Sequence, residues 1–398
     1  MDKIIFVLFF LIAVFFIYWY LLNNFLRKVL LLSASLAFIS LFNFAYIIYY
    51  LILISFVYLS AEAVISETAG RKVIFYTCLF FLIFNFCFFK YFKGLLDFFS
   101  SYVPFPAFAQ NSIPEIIFPL GLSFITFRLI HYLVEANRQG IGKRGVLDFF
   151  LYALFFPTFL AGPIERFPVF FAQANSLSRP DYDQVSYGLW RILLGLLKKF
   201  YISDVLLNWA VLALHSPFSY PRWMVVAAIY GIMIKLYMDF SGYVDISIGI
   251  SRILGYKLTE NFNLPFIRRN IALFWRSWHI TLYTWIRDYV YFPFFIYNPT
   301  PLKRYLGPFV VVFIFTLWHK GTENFLVSGI INGLVLMGWI AFQDFQGKFP
   351  AVKKALSSKL LTPVSIFLTF SYVCFGTGLL FFTDNLQSAW IIIQRILT

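Results

Sequence analysis

The sequence predicts an all-α polytopic membrane protein, and three observations carry that reading. Of its 398 residues, 61% are hydrophobic and only 13% charged, whereas soluble globular chains are near half apolar and a quarter charged. The apolar residues arrive in runs of about 13–20, the length scale of a bilayer crossing. Fifty-four Phe, twenty-five Tyr and ten Trp suit an apolar body with many interfacial anchors. A soluble enzyme is excluded. The total expected is about 10–12 transmembrane helices, with re-entrant or interfacial helices besides.

Thirty-two basic against eighteen acidic residues give a net charge of +14. In a membrane chain this reflects the positive-inside bias of cytoplasmic loops. Nucleic acid is not an expected partner, because no basic stripe with spaced aromatics stands outside the apolar runs. Cys78, Cys87 and Cys374 lie inside those runs without paired spacing. They read as small core residues and not as a disulfide frame, a metal site or a nucleophile.

Taken in order, spans are expected near 4–22, 29–42, 44–61, 73–92 and 113–134. The first reads as a retained span: 19 residues exceed a signal's apolar region, no small-x-small site follows, and it ends at Arg27 and Lys28. With that end inside, Arg27/Lys28, Arg71/Lys72 and the loop of Arg138, Lys143 and Arg144 share one side. That side is the cytoplasm, so the N-terminus is expected outside. The stretch 149–171 is apolar but broken by three prolines and a glycine, which predicts a re-entrant or interfacial segment. Residues 186–214 are interrupted by Lys198 and Lys199 and stay open. A span near 224–247 precedes a basic, cytoplasmic loop bearing Arg252, Lys257, Glu260, Arg268 and Arg269.

Over 272–296, Trp275, Trp278, Leu282 and Trp285 recur at three and four residues, with Arg276, Ser277, Arg287 and Asp288 elsewhere on the wheel. That pattern predicts one amphipathic interfacial helix. Runs at 306–318 and 325–342 flank the polar turn HKGTEN, and a last span at 360–382 follows a second basic loop. No internal repeat is visible.

Four histidines exist, and His279 and His319 sit in apolar surroundings where imidazole is costly. The 13 residues of 306–318 make roughly 20 Å of helix against a hydrocarbon core of about 30 Å. On that arithmetic the turn bearing His319 lies below the membrane surface, at the floor of a water-accessible cavity. An imidazole there suits a general base. Arg128 and His131 share a helix face and read either as an ion-paired or snorkelling pair or as a functional one. Asp239 and Asp245, carboxylates within a span, are expected to be paired or cavity-facing. His215 falls in a polar loop. No phosphate cradle, serine elbow or metal-ligand cluster is present.

Five blocks, PLGLSFITF, FFPTFLAGPIERF, YMDFSGYVDISIGISRILGYKLTENFNLPF, FWRSWHITLYTWIRDYVYFP and LWHKGTENFLVSGIINGL, follow one another over about 118–335. In type and order they resemble the membrane-bound O-acyltransferases, in the bacterial branch acting on alginate and teichoic acid. The resemblance implies a ring of tilted helices around a funnel on each face, meeting at a thin centre. It divides the chain into N-terminal helices 1–112, a catalytic core 113–342 and a C-terminal helix and tail 343–398. It implies acyl transfer to a hydroxyl, with His319 as the catalytic histidine and His279 as the second signature residue. Within or beside the blocks, Arg128, Asp239, Trp275, Trp278, Arg287, Asp288, Lys320 and Glu323 are the substrate-binding candidates. Lys320 departs from the usual glycine after the histidine, and faces either an anionic acceptor or lipid headgroups.

The function implied is transfer of a D-alanyl or acetyl group across the cell membrane to hydroxyls of an envelope polymer, teichoic acid or exopolysaccharide. No bound cofactor is expected. The donor is a cytoplasmic thioester, either the phosphopantetheine of a small acyl-carrier protein or acetyl-CoA, and the outer partner is the polymer or an accessory transferase. The alternative is a transporter or flippase of an envelope precursor, and a third reading is a non-catalytic scaffold.

Overall fold

A computed structural model describes residues 2–21, 23–100, 118–176, 182–296, 300–356 and 358–398. Among the described residues the chain is helical throughout, with a single isolated antiparallel bridge between Phe262 and Trp278. Six of these helices are long and apolar enough to cross a membrane: Phe44–Ile65, Arg71–Phe92, Arg222–Ile253, Pro301–His319, Glu323–Lys348 and Lys359–Phe382. The chain is therefore a multi-pass, all-α membrane protein. Several other apolar runs among the described residues fold as helices of 9 to 17 residues.

The chain divides into two compact units, Met1–Leu194 with Val244–Thr259 and Gly195–Tyr243 with Glu260–Thr398. The first opens with α1 (Asp2–Tyr20), α2 (Asn24–Ser40), α3 (Phe44–Ile65) and α4 (Arg71–Ser100). Asn23 and Asn43 cap α2 and α3, their side-chain oxygens accepting from Phe25 N and Ala45 N. The capped start of α2 takes Arg27 and Lys28 out of the expected cytoplasmic loop and into the protein. Lys28 donates to Asp148 at 2.6 Å and Asn175 at 2.7 Å, and the Arg27 guanidinium lies over the Tyr18 and Trp19 rings. Buried cations need such partners.

Of the span expected at 113–134, residues 113–117 and the boundary beside them lie outside the described residues. The helix itself, α5 (Leu122–Asn137), starts after Gly121, whose φ of 84° is left-handed. The stretch 149–171 is broken as expected: α6 (Val146–Leu154), a 3₁₀ turn at Phe156–Thr158, a loop, then α7 (Phe167–Asn175). Phe149 to Phe156 are all buried, which protects the irregular backbone.

The open stretch 186–214 resolves into α8 (Tyr182–Leu196), continued by a π-helical segment Leu197–Leu206, and α9 (Asn208–His215). Alongside runs α10 (Arg222–Ile253). The two meet as an antiparallel ladder in which glycine contacts alternate with ion pairs. A Cβ on Gly249 would sit 2.5 Å from the Gly188 carbonyl oxygen, and one on Gly242 would sit 2.8 Å from that of Gly195. Between and beyond them Arg191 pairs with Asp245 at 2.5 Å and Lys199 pairs with Asp239. Small residues let backbones approach where no hydrophobic force drives helices together. Gly249→Leu must push the backbones apart. We expect it to cost about 1–3 kcal/mol, seen as a lower thermal midpoint in detergent, and an unchanged midpoint would refute the seam.

The second unit carries α11 (Ile271–Ser277) and α12 (Ile280–Ile286), with a π-helical continuation Arg287–Ile296, then α13 (Pro301–His319) and α14 (Glu323–Lys348) as a closely packed hairpin. After α15 (Pro350–Leu356), α16 (Thr362–Val373) passes through a π turn into α17 (Leu379–Phe382), and α18 (Leu386–Leu397) ends the chain. Two expectations are corrected here. The stretch 272–296 is not one amphipathic helix, because His279 breaks it with φ 47° and ψ 55°. Nor does the helix before His319 stop at 13 residues. Thr300 caps it and Pro301 opens it, so it runs 19 residues through the polar Lys303 and Arg304. Apolar run length understates a helix whose first turn is polar, so shortness cannot be what recesses His319.

Candidate active site

His279 sits where α11 ends and α12 begins, in a left-handed conformation that a non-glycine residue adopts at a cost of about 1–2 kcal/mol. The neighbouring loop holds it there. Asn261 O accepts from Ile280 N at 2.9 Å, Asn261 Oδ1 accepts from Thr281 N at 3.1 Å and from Thr281 Oγ1 at 2.6 Å, and Asn263 N donates to Ser277 O at 3.0 Å. One fully buried asparagine thus takes up the first two amides of α12, a capping role performed from another segment. Strain maintained in this way is characteristic of functional turns.

The His279 ring is fully buried among Phe240, Phe315 and Trp318, with centroids 4.8, 6.1 and 5.8 Å away. Burial pulls its pKa from the ordinary 6.5 to about 3, because the low-dielectric surroundings disfavour imidazolium. The unfolded chain takes up this proton below pH 6.5 and the folded chain refuses it until about pH 3. Stability therefore falls with acidification across that window, by up to about 1.4 kcal/mol per pH unit from this group. His279→Gln should flatten that slope in thermal unfolding between pH 6.5 and 4. An unaltered slope would show that the imidazole is not held neutral.

His319, the last residue of α13, is half-buried. Its ring packs on Phe315 at 5.5 Å, Trp318 at 4.7 Å and Phe381 at 5.1 Å. Phe315 and Trp318 therefore touch both histidines and join them in one cluster. Trp275 enters the same cluster, 5.1 Å from Phe315.

Trp275 also lines a cavity of about 610 Å³ with Arg276, Arg287, Tyr283, Val311 and Trp339. None of its described lining side chains is acidic, although Arg287 is paired with Asp288 at 2.8 Å. Val311 precedes His319 by eight residues, roughly 12 Å along α13. The cavity thus approaches the histidines from the N-terminal half of α13, with Trp275 and Phe315 as the last layer.

The remaining candidates disperse. Trp278 stacks on Phe274 within an aromatic cluster that includes Phe262 and Phe266. Asp239 is paired with Lys199, and Asp245 with Arg191, as carboxylates in a span must be. Lys320 is exposed beside His319 in extended backbone. Glu323 accepts from Leu386 N at 3.0 Å and so anchors the start of α18. Arg128 lies in the first unit, buried, donating to the carbonyls of Tyr152, Ala153 and Thr158 at 3.0 to 3.3 Å. It caps the C-terminal end of α6, a structural role for its charge. His131 accepts from Phe167 N at 2.9 Å, again a backbone role. Sequence reasoning passed over Asn261, Phe315 and Trp318. Asn261 stood inside a quoted block, but nothing local marked it as the residue that pairs with 280 and 281.

Residues 128–381 match the family model of the membrane-bound O-acyltransferases. A probable alginate O-acetylase of Pseudomonas aeruginosa is 32% identical over 281 residues, 70% of this chain and 51% of the relative. A teichoic acid D-alanyltransferase of Bacillus subtilis is 31% identical over 292 residues, 70% of this chain and 73% of the relative. A peptidoglycan O-acetyltransferase of Helicobacter pylori is 29% identical over 307 residues, 69% and 56% respectively. The match spans about half the length of the alginate O-acetylases.

Proposed function

The chain belongs to the membrane-bound O-acyltransferase family, and from that premise we propose that it transfers an acyl group, acetyl or D-alanyl, from a thioester to a hydroxyl of an envelope polymer. The observation that supports this best is the shared packing of His279 and His319 on Phe315 and Trp318, one side-chain layer from an arginine-lined cavity.

In this reading the cavity takes the donor. Arg276 and Arg287 suit the phosphates of coenzyme A or of a carrier protein's phosphopantetheine, and Trp275 and Trp339 suit the apolar arm. His319 accepts the proton of the acceptor hydroxyl as its oxygen bonds to the thioester carbonyl carbon. The carbon–sulfur bond then breaks, and His319 returns the proton to the leaving thiolate. Neutral His279 is a hydrogen-bond donor for the developing oxyanion or for the ring beside it. Four elements fix its place before substrate arrives: α10, α11, α12 and α13.

The protein sits in the cell membrane with its N-terminus and the acceptor polymer outside and the loop 252–269 inside, where the donor enters. Lys257 and Lys353 are exposed and give positions at which this orientation can be tested. Cysteines placed there should resist an impermeant thiol reagent in intact cells, and strong labelling would invert the scheme. The function itself is tested by mass spectrometry of envelope polymers from cells with and without the chain. Acetyl or D-alanyl esters should depend on it and identify the acyl group. Identical ester content in the two would overturn acyl transfer and leave the transporter or flippase reading.

A further inference from the structure

The ladder between α8 and α10 changes character along its length. The Arg191–Asp245 rung is closed, its side chains only 13% and 6% exposed. The next charged rungs are open: the Asp239 carboxylate, paired with Lys199, is 45% exposed, and Asp204, 3.4 Å from Lys235, is 51% exposed. Lys235 also donates to Ser203 O at 2.7 Å. Asp239, Asp204 and Lys235 from these open rungs line a cavity of about 350 Å³ together with Gly378 and Phe381, and Lys199 stands behind Asp239 as its partner. The helix that carries Lys235 and Asp239 is a candidate membrane span, and both residues lie near its middle.

Four ionisable groups at that depth are expensive unless they face water or a ligand. A purely structural seam needs closed rungs like Arg191–Asp245, and the open rungs serve something else. The cavity also leads to the candidate base. Phe381 in its wall packs on Phe325 with centroids 4.4 Å apart and on His319 at 5.1 Å. This approach meets the C-terminal end of α13, whereas the arginine-lined cavity meets its N-terminal half. The two cavities differ in charge as well. Arginines without lining acids suit phosphate, while paired ammonium and carboxylate groups, with no net charge, offer donors and acceptors side by side, which suits vicinal hydroxyls.

We propose that this second cavity is the acceptor subsite. It binds a polyhydroxylated unit, a sugar or polyol of the envelope polymer, between the Lys199–Asp239 and Lys235–Asp204 pairs and presents one hydroxyl to His319 past Phe381. The inference rests on the acyl-transfer reading above and adds the place and chemical class of the acceptor. Its volume falls within the roughly 300–1,000 Å³ typical of small-molecule sites.

The test uses the full chain with Cys78, Cys87 and Cys374 replaced by serine and a single cysteine at half-buried Leu236, in the cavity wall. The reagent is 2-sulfonatoethyl methanethiosulfonate, applied to intact cells. Washed membranes are then given radiolabelled acetyl-CoA or D-alanyl carrier protein, whichever supports ester formation. Label in polymer ester and label released by hydrolysis are counted. Modification of Leu236→Cys should lower the ratio of transfer to hydrolysis about tenfold or more, because water still reaches the donor when the acceptor cannot. An equal fall in both, an unchanged ratio, or no reaction of the cysteine from outside would overturn the subsite. The double variant Lys199→Gln with Asp239→Asn removes the open pair without leaving a lone charge. It should raise the acceptor concentration needed for half-maximal transfer by a similar factor, and an unchanged acceptor requirement would likewise overturn it. The same cells with and without the chain separate the two readings. Ester content that does not depend on the chain sinks acyl transfer itself, whereas chain-dependent esters beside an unaltered transfer ratio sink the acceptor subsite alone.

Discussion

With His319 replaced by alanine, ester formation falls by a factor of about 10²–10⁴, the contribution expected of a general base. Chain level and thermal midpoint stay near those of the parent. The small structural cost follows from the ring's position: it is half-buried at the end of α13, and Phe315 still packs on Trp275, Phe381 on Phe325 and Trp318 on His279. The large functional cost follows because, among the described residues, no other titratable side chain is placed in that ring cluster to take the hydroxyl proton, His279 being held neutral by burial. Polymer ester, measured as base-labile acetate or alanine and normalised to folded protein, reads the effect. Transfer retained above about a tenth of normal would remove His319 from the role of base.

Asn261→Ala should have the next largest effect, although the residue touches neither proposed cavity. Its amide oxygen receives two hydrogen bonds from Thr281, and alanine leaves the Thr281 amide and hydroxyl buried without that acceptor. Each group stranded in this way costs about 1–3 kcal/mol. The left-handed turn at His279 then relaxes toward ordinary backbone, and a shift of about 1 Å in a positioned group can cost a hundredfold in rate. Thr281→Val, which removes only the hydroxyl bond and keeps the backbone amide bond, should fall between wild type and Asn261→Ala in both midpoint and rate. Wild-type transfer by Asn261→Ala, with a lowered midpoint, would show that the turn matters for folding alone.

The two histidines were legible in the sequence because an imidazole in an apolar run is costly wherever it lands, and that cost is local to the residue. Their meeting was not legible. It depends on Phe315 and Trp318, two aromatics among many in the sequence, facing both rings at once. The amphipathic pattern of 272–296 likewise misled for a physical reason. Periodicity at three and four residues continues across His279, but Asn261, distant in sequence, supplies the hydrogen bonds that make a break there cheaper than a continuous helix.

Charge shows the same division. The carboxylates Asp239 and Asp245 had to be paired or face a cavity, since desolvation alone forbids anything else. Composition also determined, unaided, that the chain is helical and lies in a membrane, because apolar runs of that length leave the backbone no other way to satisfy its hydrogen bonds. Only the packed structure decided which partner each charge took. Arg27 and Lys28 look like loop cations and are buried beside aromatic rings and Asp148, Arg128 caps a helix end, and Lys199 takes Asp239. A residue's hydrophobicity and its local period are written in its own neighbourhood of sequence, whereas a partner tens or hundreds of residues away is chosen by the helix crossings, and the crossings of α8 with α10 are set by where glycine lets two backbones touch.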